Sequence, residues 1–115
     1  QRAVASKWEH DPIWVHGDIA SANILVKDDR LSAVIDFGCM GIGDPACDLT
    51  IAWTFFKGKS REAFKSNLPL DAETWARARG WAMWKALYEI SVLKDKSGEA
   101  LAKQLQIINA VLDER

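Results

Sequence analysis
The sequence predicts an α+β chain, mostly α, with a small β-hairpin followed by a helical subdomain. Two short runs, Asn23 to Lys27 and Leu31 to Ile35, flank the polar triplet Asp28-Asp29-Arg30, which is a hairpin pattern. From Asp71 onward apolar residues recur at helical spacing. Hydrophobic residues make up 49% of the chain and six are Trp, more than a disordered tail would carry, so a core is expected.

Taken in order, Arg2 to Glu9 reads as the end of a helix leading into the hairpin region. A helix is expected over Asp48 to Lys57, just after the start signal Pro45. Ser60 is the expected N-cap of a short helix to about Asn67, stopped by Pro69. Asp71 is the expected N-cap of a long helix to about Leu93, with Glu73 well placed in its first turn. Trp75, Ala78, Trp81, Ala82, Leu87, Tyr88 and Ile90 form its broad apolar face. Gly80 inside it costs roughly 1 kcal/mol relative to Ala, which points to a close packing contact. Ser97 is expected to cap a last helix with Leu101, Leu105, Ile108 and Leu112 at helical spacing. The Trp residues of these helices are read as core and lobe-interface packing, ahead of an aromatic sugar-binding surface.

At 115 residues the chain can bury one core and is read as a single unit over residues 1–115. Net charge is −1 and basic residues do not cluster, so nucleic acid is not an expected partner. No long apolar span or lipidation motif points to a membrane; the expected setting is the cytoplasm. Cys39 and Cys47 flank a Gly-Asp-Pro turn and are read as reduced thiols, ahead of a redox or metal pair. His10, beside Asp11-Pro12, is read as a surface residue.

The chemistry-bearing pattern is His16-Gly17-Asp18-Ile19-Ala20-Ser21-Ala22-Asn23, with Asp36-Phe37-Gly38 beginning thirteen positions after Asn23. It spells H-x-D-x-x-x-x-N and D-F-G, the base and metal segments of a kinase-type phosphoryl-transfer site. Such a site must position nucleophile and phosphate and neutralise charge on the transferring group. Asp18 is the candidate catalytic residue, holding and partly deprotonating an acceptor hydroxyl. Asn23 and Asp36 are the candidate metal ligands, hard oxygen donors for Mg²⁺ on the phosphates. The hairpin between them would return Asp36 to the end where Asn23 sits. His16 reads as a structural hydrogen-bonding residue under the loop rather than a base. Each motif alone is weak, but together and bracketing a hairpin they are specific.

Over these residues the chain resembles the C-terminal lobe of the aminoglycoside phosphotransferase family, small-molecule kinases with a protein-kinase-like fold. The resemblance runs from Ile13 to about Trp53, through Val15-His16-Gly17-Asp18, Asn23-Ile24-Leu25-Val26, Val34-Ile35-Asp36-Phe37-Gly38 and Gly43-Asp44-Pro45-Ala46-Cys47-Asp48-Leu49. It implies that Asp48 supports the catalytic loop from a helix start, with His16 as its other structural support. Implied cofactors are Mg²⁺ and ATP or GTP; the implied partner is a small-molecule hydroxyl acceptor such as an aminoglycoside, another antibiotic, an amino alcohol or a sugar. Beyond Trp53 the resemblance is architectural, a helical subdomain that often shapes the acceptor site.

Protein kinases fit less well. Gly17 stands where they commonly carry the Arg that grips a phosphorylated activation loop. Only Cys39-Met40-Gly41-Ile42 separates Phe37-Gly38 from Gly43-Asp44-Pro45, too little for a peptide platform. Ala20 occupies the position, two residues after Asp18, where they usually carry a Lys aimed at the transferred phosphate.

The family's N-terminal lobe supplies a glycine-rich cover, a strand Lys and its helix Glu. None of these signals is in the sequence, and Gly58-Lys59-Ser60 lacks the Gly a P-loop needs five positions earlier, where Trp53 stands. The chain is therefore expected to be the catalytic and metal half of a longer kinase, probing nothing of the nucleobase and inactive alone. It would need the missing lobe, or self-association, to cover apolar surface. Two other readings stay open. One is a non-catalytic kinase lobe serving as a binding or oligomerisation module. The other is a metal-dependent phosphohydrolase, which the two histidines, His10 and His16, supply poorly with ligands.

Overall fold
The structure, a computed structural model, describes residues 1–114. The principal elements are α1 (Arg2–Ala5), β1 (Ile13–Val15), β2 (Ile24–Lys27), β3 (Arg30–Val34), β4 (Gly41–Gly43), α2 (Ile51–Thr54), α3 (Gly58–Ser66), α4 (Ala72–Val92) and α5 (Glu99–Asp113). Three short 3₁₀ segments, Ser21–Asn23, Phe37–Cys39 and Pro45–Thr50, join them.

The expected hairpin is present as β2 antiparallel to β3, with Ile24 opposite Val34 and Lys27 opposite Arg30. Arg30 belongs to the strand, so the turn is the two residues Asp28 and Asp29, with φ of 52° and 58°. Two positive φ angles match the hand of twist that a two-residue hairpin needs, and Asp tolerates them. The Ile35 amide then donates to the Asn23 carbonyl at 2.9 Å, closing the open end of the hairpin. A second pair, β1 antiparallel to β4 with Ile13 opposite Gly43, was not foreseen. Strands of three residues, one of them Gly-Ile-Gly, carry no measurable alternation.

Several helix bounds differ from the sequence reading. The first helix stops at Ala5 rather than Glu9; a single turn has little to stabilise it, and Trp8 leaves to donate its indole N–H to the Asp11 carbonyl. The expected Asp48–Lys57 helix is the 3₁₀ segment Pro45–Thr50 followed by the short α2. It begins earlier because Pro45 suits a first helical turn and the Asp44 side chain accepts from the Ala46 amide at 3.0 Å. It ends early, where Arg61 Nε takes the Ala52 carbonyl at 2.7 Å. Ser60 lies inside α3, where its Oγ accepts from the Lys57 amide at 3.1 Å; Lys57 is the N-cap. Gly98, at φ 85°, is the N-cap of α5, while Ser97 binds Asp95. Asp71 does cap α4, accepting from the Thr74 amide at 2.7 Å.

The core lies where α4 crosses the Pro45–Thr50 segment and α5. It is built from Ala46, Leu49, Ala52, Trp53, Ala78, Ala82, Ala86, Ile107 and Val111. Ala78, Ala82 and Ala86 repeat at i, i+4, i+8, and their small side chains let the backbones approach closely. A Cβ on Gly80 would sit 2.8 Å from the Ala3 Cβ, so the expected close contact at this glycine is with α1. The broad face of α4 is narrower than expected: Trp81, Leu87 and Tyr88 are about half exposed. On α5 the buried stripe is Ile107 and Val111, with Leu105 and Leu112 facing out. This helix is apolar on more than one side, and only tertiary contact selects the inward one. No helix among the described residues is long and apolar enough to cross a membrane.

Candidate active site
The loop after β1 is held by one carboxylate. Asp48 Oδ2 accepts from the His16 amide at 2.7 Å and Oδ1 from the Gly17 amide at 2.8 Å. Both carboxylate oxygens are thus used on backbone donors, which fixes the loop's path. Gly17 has φ 85°, and a Cβ there would lie 2.2 Å from the Cys39 carbonyl oxygen. The position therefore requires glycine on steric grounds, a constraint the sequence reading missed by treating Gly17 only as a lost Arg.

His16 is buried and bridges the loop to the end of β3. The Asp18 amide donates to its Nδ1 at 3.2 Å, so that nitrogen is an acceptor. Nε2 then carries the proton and donates to the Ile35 carbonyl at 2.8 Å. The ring also packs against Phe37, with centroids 4.7 Å apart. Both ring nitrogens are committed to backbone, which leaves none for proton transfer.

Asp18 is half-buried at the mouth of a cavity of about 560 Å³. Its Oδ1 accepts from Lys85 Nζ at 2.6 Å, and its Oδ2 lies 3.4 Å from Asn23 Nδ2. The hydrogen bond from Lys85 holds the Asp18 carboxyl below its ordinary value of 3.8, with the Lys85 charge and the Asn23 amide adding to it against partial burial. Asn23 is buried, and its Nδ2 also donates to the Asp18 carbonyl at 2.9 Å. Asp36 is exposed in a left-handed conformation, φ 62° and ψ 65°, at the start of Phe37–Cys39. Holding a non-glycine residue there costs on the order of 1 kcal/mol.

This donor set fits a hard divalent cation. The Asn23 amide nitrogen is committed to Asp18, leaving its oxygen as the free donor atom. The Asp36 carboxylate has no protein hydrogen-bond partner among the described residues. The hairpin brings the two segments to one end through the Ile35–Asn23 bond. Among the described residues no group of three or more His, Cys, Asp or Glu could hold a metal by itself, so phosphate oxygens or water would complete the coordination.

The far wall of the cavity comes from α4. Trp84 stacks on Tyr88 at 5.6 Å and 16°, and Trp81 meets Trp84 edge-on at 5.7 Å. Of the core and lobe-interface reading of these rings, the core part holds for buried Trp53 and for Trp75, which packs on it at 6.2 Å, and not for Trp81 and Trp84, which are about half exposed. Nothing in the spacing distinguished the two pairs. Lys85 and Glu89 also line the cavity, and sequence reasoning missed both. Asp44 is tied to buried Arg77 of α4 by contacts of 2.7 and 3.3 Å, which anchors the Gly-Asp-Pro segment to the same helix.

Cys39 is exposed, Cys47 is half-buried, and both are free thiols at the cavity. Burial, with Asp48 and Asp44 nearby, pushes the Cys47 thiol up to about 11, so it is no nucleophile near neutrality. A second cavity, about 600 Å³, lies between the segment after α1 and Arg77 and contains none of the predicted site residues. His10 is exposed there, edge-on to Trp8 at 4.8 Å.

No curated protein and no solved structure matches the chain. A family model described as the phosphotransferase enzyme family matches residues 1–84, well beyond the Ile13 to Trp53 stretch on which the resemblance rested. The chain belongs to that family.

Proposed function
We propose that this phosphotransferase is the catalytic half of a small-molecule kinase. It would move the terminal phosphoryl group of ATP or GTP to a hydroxyl of an aminoglycoside-like or other small acceptor. The observation that carries the reading is the shared anchoring of Asp18 and Asn23 on a loop clamped by Asp48, with Asp36 returned to the same end by the hairpin. Asp18 accepts the hydroxyl's hydrogen bond and receives its proton as the acceptor oxygen bonds to phosphorus. Asn23 and Asp36 would hold Mg²⁺, which would supply charge neutralisation on the phosphates. His16 and Asp48 keep Asp18 and Asn23 in register without touching the reactants.

The aromatic wall supports an acceptor with a flat apolar or sugar-ring face. Two cavity carboxylates, Asp18 and Asp44, are already paired with Lys85 and Arg77, so Glu89 is the acidic group left for a cationic acceptor. Trp14, Val26, Leu31 and Ile42 stand on the strands at more than 60% exposure, which supports their being covered by a nucleotide-gripping lobe. The same patch is the observation that favours the second reading, a non-catalytic lobe that self-associates. The free thiols support a reducing, cytoplasmic setting.

The test is transfer of labelled terminal phosphate by the full-length protein to a panel of polyhydroxylated acceptors. Asp18→Ala should remove transfer while Mg-nucleotide binding stays. Near-normal transfer in the purified variant would remove Asp18 from the mechanism.

A further inference from the structure
Lys85 has no role in the machinery described so far, yet its Nζ is 2.6 Å from Asp18 Oδ1. It projects from the middle of α4, a helix anchored at its start to the Gly-Asp-Pro segment through Arg77 and Asp44. Its side chain is 30% exposed, and it is the one cationic side chain lining the Asp18 cavity among the described residues. An ammonium has three donors. Asp18 takes one, and the other two have no protein partner among the described residues.

The catalytic loop itself carries no Lys or Arg: Gly17 precedes Asp18, and Ile19 and Ala20 follow it. A phosphoryl group in transfer carries negative charge on three oxygens, which positioned donors stabilise. The acceptor oxygen must meet that group within reach of Asp18, hence within reach of an ammonium already bonded to Asp18.

We propose that Lys85 is a catalytic residue of this site, a lysine delivered from the helical subdomain that donates a hydrogen bond to an oxygen of the transferring phosphoryl group. The proposal rests on the kinase reading above. In the step, the acceptor oxygen bonds to the terminal phosphorus and the bond from that phosphorus to the bridging oxygen breaks. The hydroxyl proton goes to Asp18 and the nucleoside diphosphate leaves with the bridging electron pair. Lys85 donates a hydrogen bond and transfers no proton in this step.

The experiment measures the affinity of the full-length protein for a non-hydrolysable Mg-ATP analogue, Mg-AMP-PNP, and for Mg-ADP, which lacks the terminal group. Lys85→Met should weaken the analogue about tenfold or more, the size of one charge-assisted hydrogen bond, and leave Mg-ADP unchanged. Lys85→Arg should keep most of the difference, and Ala20→Lys added to Lys85→Met should restore part of it. Equal affinities for both nucleotides in wild type and Lys85→Met, with Asp36→Ala still weakening both, would overturn the Lys85 role and leave the kinase reading standing. Absence of Asp36-dependent binding in the wild type would overturn both. Circular dichroism of Lys85→Met and Lys85→Arg checks that each variant folds.

Discussion

The loop-and-hairpin half of the molecule, residues 13–50, and the helical half, residues 72–113, are held together by different physics. In the first half, individual polar bonds decide the geometry: one carboxylate clamps two amides, one imidazole joins two backbone segments, one amide nitrogen holds Asp18. Its strands are thinly covered, and most of their side chains face outward. In the second half, buried alanines on α4 meet Ile107 and Val111 of α5, and no single bond is decisive. The difference teaches where each kind of substitution should be felt. Changes in the loop half should strike function at a nearly constant fold, and changes in the helical half should strike stability first.

The largest effect expected is on turnover. Asp18→Ala and Asp36→Ala in the full-length protein should each lower kcat by about 10³-fold or more. Both carboxylates are partly or fully exposed, so melting temperatures should fall by no more than about a few degrees. A variant that loses activity only because it unfolds would erase the contrast between the halves.

Asp48→Ala should come next. It leaves the His16 and Gly17 amides without their acceptor, at on the order of 3 kcal/mol for two charge-assisted bonds. Chemical denaturation and steady-state rates should both respond, and an unchanged rate would mean that the loop holds its shape without the clamp.

Ala82→Leu tests the other half. Ala82 is fully buried, and the added methylenes should cost about 1–3 kcal/mol in thermal unfolding, with nucleotide affinity of the folded protein retained. The double variant Leu105→Ser, Leu112→Ser should be the mildest, within about 0.5 kcal/mol, because both side chains face solvent. A larger loss would place them in a contact such as a dimer or a covering lobe.

Acidity sharpens the comparison at one of the places where the halves meet, the Asp18–Lys85 pair. The folded carboxyl is lowered from 3.8, so its contribution to stability is present above that value and is lost as pH falls through the folded value. Lys85→Met should therefore move the acid limb of the rate profile toward higher pH. An unmoved limb would mean that Lys85 does not act on Asp18 in solution.

The same division explains what could be read from the sequence. Asp18, Asn23, Asp36, His16 and Asp48 were legible as candidates because the roles proposed for them suit few residue types at a fixed spacing. The hairpin was legible because its turn residues are unusual. The inward stripe of α5 was not, since Leu101, Leu105, Ile107, Ile108, Val111 and Leu112 satisfy more than one helical face. Trp81 and Trp84 were not separated from the core rings for the same reason, as periodicity records apolar residues but not whether a cavity lies over them. Lys85 was invisible because its partner is 67 residues away, and a lone lysine on a helix has no local signature.

The proposed kinase chemistry depends on Asn23 and Asp36 acting as a metal half-site. Titrating this chain with Mg-ATP, beside its Asp36→Ala variant, tests it most directly. Saturable binding that depends on Mg²⁺ and is weakened at least about tenfold by the substitution is expected. Binding of equal strength in both proteins would contradict it.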